Sequence, residues 1–102
     1  MSFKPNYQDQ LIDELFDAII TLDSREACYR FFEDLCTISE VQSLSQRLKV
    51  AQLLDRRETY AAIEEQTGAS TATISRISKC LQGKAGGYRL VLDKLRAINK
   101  RP

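Results

Sequence analysis

The chain has no histidine and only three cysteines, Cys28, Cys36 and Cys80. Without imidazole, a zinc site or a histidine-assisted nucleophile lacks its usual ligand and base, and no ordered acid pair or cofactor loop takes their place, so an enzyme is not expected. The odd cysteine count, with no C-x-x-C spacing, fits a reducing compartment and buried thiols better than a disulfide frame. Two prolines and four glycines in 102 residues favour helices with short connections. No apolar run approaches the roughly 20 residues that cross a bilayer, and the first residues, Met1 to Pro5, lack the hydrophobic core of a signal peptide. The expected location is cytoplasmic. At this length the chain is expected to form one domain, residues 1–102, with part of its apolar surface open unless it associates.

What is present is charge of unequal distribution. The net charge is only +1. From Ser70 to Pro102, however, eight bases (Arg76, Lys79, Lys84, Arg89, Lys94, Arg96, Lys100, Arg101) face one acid, Asp93, while seven bases face thirteen acids from Met1 to Ala69. A basic region on an acidic body is the electrostatic footprint of a duplex-binding protein, the alternative being a basic tail that solvates a helix end.

At the edge of the basic region, Gly68 separates two helical stretches. Tyr60 to Gln66 holds one large aliphatic residue, Ile63, and reads as a short, mostly exposed helix capped by Thr59. Gly68 supplies the turn, because glycine alone takes a positive φ without steric cost. Ser70 is a good N-cap for the next helix, in which Ile74, Ile77 and Leu81 recur at helical spacing. Thr71, Ala72, Ser75, Arg76 and Lys79 are left facing outward. Small hydroxyl residues let a helix approach the major groove closely, so Thr71, Thr73 and Ser75 are candidates for base edges or phosphates. Arg76 and Lys79 are candidates for phosphate, and Arg76 also for guanine. The pattern is that of a helix-turn-helix, although Glu64 stands four residues before the turn, where many such proteins have alanine.

In chain order, residues 1–7 read as a short arm. From about Gln8 to Leu22, Leu11, Ile12, Leu15, Phe16, Ile19 and Ile20 make a wide apolar stripe, wide enough to suggest packing against a second copy. Asp23 with Glu26 forms a capping-box pattern opening a helix to about Cys36, in which Cys28, Phe31, Phe32, Leu35 and Cys36 share a face. Thr37 with Glu40 forms another, opening the longest helix, about Ser39 to Asp55, with Ile38, Val41, Leu44, Leu48, Ala51 and Leu54 as its seam. Its polar residues Gln42, Gln46, Arg47, Lys49 and Gln52 read as solvated. Asp55 to Glu58 is a charged connection. The stretch Gln82 to Gly87 has no Gly-Lys-Ser/Thr pattern and reads as a helix stop and linker rather than a phosphate loop. A last helix runs from Tyr88 to about Asn99, with Leu90, Val91, Leu92, Leu95 and Ile98 as its expected buried set.

Six helices with the turn between the fourth and fifth resemble the Trp-repressor family, most closely over Thr67 to Arg76, and within it the YerC/YecD-type branch. The resemblance implies an all-α, six-helix Trp-repressor-like fold and an intertwined homodimer placing two recognition helices in successive major grooves. Residues 1–58 would be dimerisation helices, 59–81 the helix-turn-helix and 88–99 the C-terminal helix. It implies base-edge contacts from Thr71, Ala72 and Ser75, with support from Ala61 and Ser70, and it admits a charged residue at Glu64. The tryptophan site carries over poorly. Arg76 matches the arginine that flanks the ligand, but Ile77 stands where the repressor has a glycine, and Gln46 where it has an arginine on the long helix. Ile77 is expected to fill the ligand slot, which argues against tryptophan as corepressor and for a preformed reading head; no cofactor is expected, and another small-molecule effector stays open.

The leading expectation is a dimeric, sequence-specific regulator of transcription, a repressor occupying a pseudo-palindromic operator in double-stranded DNA, with no membrane partner. Its rival is a helical dimerisation or adaptor module whose basic end binds an acidic protein. Thr71→Val or Ser75→Ala separates them, because only a reader changes its sequence preference.

Overall fold

A computed structural model of the chain describes residues 3–99. Met1 and Ser2 of the expected arm, and Lys100 and Arg101 of the basic stretch, lie outside the described residues. Among those described, all regular structure is helical: α1 (Gln10–Ile20), α2 (Arg25–Leu35), α3 (Ile38–Asp55), α4 (Tyr60–Thr67), α5 (Thr71–Leu81) and α6 (Gly87–Asn99). No helix among them is long and apolar enough to cross a membrane.

Local chemistry sets the boundaries. α1 starts after Asp9, whose carboxylate accepts from the Ile12 N–H at 2.8 Å, and ends at Thr21, whose hydroxyl donates to the Ala18 carbonyl. It is therefore shorter at both ends than the apolar pattern suggests. α2 begins one residue later than the Asp23–Glu26 box implies. Ser24 has the extended backbone of an N-cap and its oxygen accepts from the Ala27 N–H at 3.0 Å, so Ser24, not Asp23, is the cap. The Thr37–Glu40 box forms reciprocally: the Glu40 N–H donates to Thr37 Oγ1 at 3.2 Å and the Thr37 N–H to Glu40 Oε1 at 2.8 Å. That backbone donor is the main reason the Glu40 carboxyl titrates below its ordinary range.

The chain divides into two compact units, Met1–Val41 and Gln42–Pro102, with the division inside α3. In the second unit, Val50, Ala51 and Leu53 of α3, Ile63 of α4, Ala69 of the turn, Ile74 and Ile77 of α5 and Leu92 of α6 form the buried core, with Leu48, Leu54, Leu81 and Tyr88 packed at its edge. Each fully buried aliphatic side chain contributes about 1.5–3 kcal/mol. The expected α3 seam is thus only partly the one observed: Val50 and Leu53 are buried, whereas Ile38 and Leu44 are exposed. In α6, Leu92 alone is buried and Leu90, Val91 and Ile98 are exposed, because the single layer of neighbours covers only one narrow stripe.

The first unit contrasts with the second. None of the described residues of α1 or α2 is buried, although both helices are amphipathic. Phe31 and Phe32 meet edge to face, with ring centroids 5.7 Å apart. Tyr29, Phe32, Cys36, Ile38 and Val41 line an open apolar groove of about 630 Å³. The expectation of buried thiols fails for the single chain: Cys28 is exposed and Cys36 half-buried where α2 has no layer packed over this face, and Cys80, on α5, is exposed as well.

The C-terminus of α3 is fastened to α6 by charge. Asp55 accepts from Arg89 Nη1 at 2.8 Å and from Arg96 Nη2, and Asp93 lies 3.2 Å from Arg96 and 3.7 Å from Arg89. The Arg89 hydrogen bond is the largest cause holding the Asp55 carboxyl below its usual range, with both guanidinium charges adding and partial burial opposing. A carboxyl with a depressed folded pKa stabilises fully above the unfolded value of about 4 and loses that contribution as pH falls through the folded value. Asp55→Ala is therefore expected to melt a few degrees below wild type at neutral pH, with the gap closing in acid. Thermal melts across that pH series measure it.

Candidate nucleic-acid interface

The site is built on the turn between α4 and α5. Thr59 caps α4, its hydroxyl oxygen accepting from the Ala62 N–H at 3.1 Å. Gly68 closes α4 with φ of +74°, a left-handed conformation, and its N–H donates to the Glu64 carbonyl at 2.8 Å. A side chain at Gly68 would meet no neighbour, so backbone strain alone selects glycine there. Thr67 locks the same turn by donating to the Ile63 carbonyl at 2.7 Å and accepting from the Ala69 N–H at 3.1 Å. Ser70 then caps α5, accepting from the Thr73 N–H at 3.2 Å and donating to Thr73 Oγ1 at 3.1 Å. Behind the turn, Ile63, Ala69, Ile74 and Ile77 are buried, which fixes the azimuth of α5.

With that face inward, the candidate residues fall into three groups. Ala72, Arg76 and Lys79 are exposed along α5, and Ala61 is exposed on α4. Among the described residues, neither Arg76 nor Lys79 is in an ion pair. Ser70 and Thr73 are engaged with each other, and Thr73 and Ser75 are half-buried, so their hydroxyls are less open than helical spacing alone suggests. Thr71 is exposed, but its hydroxyl donates to Glu64 Oε1 at 2.8 Å. Glu64, a departure from the commoner alanine, thus bridges α4 to the first residue of α5.

Two residues whose roles the sequence pattern does not show belong to this assembly. Gln46, expected to be solvated, is half-buried and its amide donates to the Thr67 carbonyl at 3.0 Å, tying α3 to the turn. Glu64 orients Thr71. These pairs are 21 and 7 residues apart, on different helices, so no single-helix periodicity connects them. The basic stretch is also thinner than its sequence: Arg89 and Arg96 turn to Asp55 and Asp93, leaving Arg76, Lys79, Lys84 and Lys94 as its exposed, unpaired bases among the described residues. No group of three or more His, Cys, Asp or Glu among the described residues is arranged to hold a metal ion.

A glycine-turned, doubly capped helix pair on a closed core, with small, hydroxyl and basic side chains outward, defines a helix-turn-helix protein of the regulatory DNA-binding class. The profile described as Trp repressor protein matches residues 10–96, and the chain belongs to the Trp-repressor family. It is 53% identical over 85 residues to the uncharacterised protein YerC of Bacillus subtilis (strain 168), covering 83% of this chain and 82% of that one. Two solved structures share the fold. One is the crystal structure of a Trp-repressor candidate from Staphylococcus aureus, 54% identical with a TM-score of 0.83 over 87% of this chain and 89% of that one. The other is a TrpR-like protein from Eubacterium eligens, 48% identical with a TM-score of 0.81 over 86% of this chain and 91% of that one.

Proposed function

We propose that the chain is a homodimeric, sequence-specific transcriptional repressor that occupies a pseudo-palindromic operator in the cytoplasm. The observation that carries the reading is α5: a helix held by a buried face and two caps, presenting Thr71, Ala72, Arg76 and Lys79 outward, with Ala61 exposed on α4, the Ser70 hydroxyl at the N-cap and the Thr73 and Ser75 hydroxyls half-buried along the helix. The homodimer is supported by the first unit, where α1, α2 and the start of α3 leave Leu11, Phe16, Ile20, Tyr29, Leu35 and Ile38 exposed. Residues 1–58 act as dimerisation helices, 59–81 as the reader and 88–99 as a brace on α3.

Tryptophan is not the corepressor in this reading. Ile77 is 2% exposed and already occupies its share of the core, and the Gln46 amide is spent on the Thr67 carbonyl. A different small apolar effector, if one acts, has an open depression of about 480 Å³ lined by Leu48, Cys80, Tyr88 and Val91. Burial there is the main cause that raises the Tyr88 phenol above its ordinary range.

Selection from a random duplex library at near-physiological salt tests the function, because phosphate binding alone dominates at low salt. Enrichment of two inverted half-sites about one helical turn apart is the expected outcome. A library that stays random, with and without added metabolites, sinks the reading and leaves an adaptor module. Arg76→Ala is expected to weaken binding to the enriched site about tenfold and to flatten the salt dependence by roughly one ion per protomer, measured by fluorescence anisotropy across a salt series.

A further inference from the structure

At the front of the reading face, Glu64 and Thr71 form an exposed pair whose hydrogen-bonding capacity is one-sided. Thr71 Oγ1 has a single proton, and it is donated to Glu64 Oε1 at 2.8 Å. What the pair has left to offer is therefore acceptors only: the lone pairs of the threonine oxygen and the free carboxylate oxygen. Among the described residues Glu64 makes no ion pair, so its charge is not neutralised within the chain.

An unneutralised acid on a surface that meets a polyanion repels phosphate unless it meets a donor. In the major groove the base-edge donors are the N4 amine of cytosine and the N6 amine of adenine. In an A·T pair the amine lies between two acceptors, adenine N7 and thymine O4, and either would oppose the threonine oxygen, whereas the cytosine amine has an acceptor, guanine O6 of its own pair, on one side only and is open on the other. We propose that Glu64, together with the Thr71 it orients, is a specificity-determining element that selects cytosine at one position of each half-site. The inference rests on the sequence-reading function above and assigns that site a base.

The test compares wild type, Glu64→Ala and Thr71→Val by library selection, followed by competition titrations with duplexes changed at single positions, all at near-physiological salt. Both positions are exposed, so the variants should fold, and circular dichroism checks it. The expected result is a wild-type motif with one cytosine per half-site preferred about tenfold or more. In Glu64→Ala that preference falls to within about twofold while the other positions keep theirs, and binding to random duplex is unchanged or tighter because an acid has gone. Thr71→Val weakens the preference at the same position. A motif identical in all three proteins overturns the inference and leaves Glu64 as a tie between two helices; so does a preference lost evenly at every position. If wild type itself enriches no motif, the reader function fails and takes this inference with it, an outcome visible before any variant is made.

Discussion

Replacing Phe16 and Ile20 together by aspartate is expected to convert the protein to a monomer that melts at lower temperature and no longer binds a two-half-site operator. In the single chain these residues are 48% and 78% exposed, on a helix with no buried residue. All eight buried hydrophobic residues among those described lie in Gln42–Pro102. A helix whose apolar stripe is left in water gains most of its stability from whatever covers that stripe, since isolated helices of this length are marginal. In the proposed homodimer a second copy supplies the cover, and two aspartates placed in it bring unpaired buried charge. Wild type should sediment at twice the chain mass and show a melting midpoint that rises with protein concentration. The double variant should show neither behaviour, and its operator affinity should drop by a hundredfold or more because the two half-sites are no longer engaged as one event. A wild-type melt independent of concentration would count against the dimer.

Ile77→Gly is expected to destabilise the reading unit severely. Ile77 sits at 2% exposure in the middle of α5, in the same buried core as Ile74 and Leu92. Truncating a buried isoleucine to alanine costs about 2–5 kcal/mol, and glycine in a helix interior adds about 1 kcal/mol. Against a domain stability of about 5–15 kcal/mol, that is a large fraction. Urea unfolding should show a strongly lowered midpoint, and DNA binding should fall with the folded population. The companion expectation is that tryptophan leaves wild-type affinity unchanged within about twofold. A tenfold gain on adding tryptophan would mean that the site is open despite Ile77.

Much of this architecture was legible because its determinants are local. Thr59, Gly68 and Ser70 act on residues three or four positions away, so the bounds of α4 and the start of α5 follow from single residues and their neighbours. Thr37 and Glu40 behave in the same way. Errors came where the answer depends on what lies across a gap. The buried stripe of α3 centres on Val50 and Leu53 because α4, α5 and α6 approach from that side, and periodicity cannot tell which of two adjacent apolar rows a neighbour will choose. Asp23 and Ser24 are both good caps, and only the backbone conformation decides between them. In the candidate interface, the exposure of Thr71, Ala72, Arg76 and Lys79 could be read from the inward Ile74 and Ile77, whereas Ser75, expected outward, is half-buried. The occupation of Thr71 by Glu64 and of the Thr67 carbonyl by Gln46 could not, since each joins separate helices.

The fastening of Arg89 and Arg96 to Asp55 and Asp93 also bears on how such a protein would search a genome. With those two guanidinium groups neutralised at home, the chain brings fewer cations to any stretch of backbone than its C-terminal sequence suggests. Its dwell on wrong sequence should be brief, so that scanning proceeds by short visits rather than long slides. Occupancy of the right site is then decided by how slowly the base-edge contacts let go.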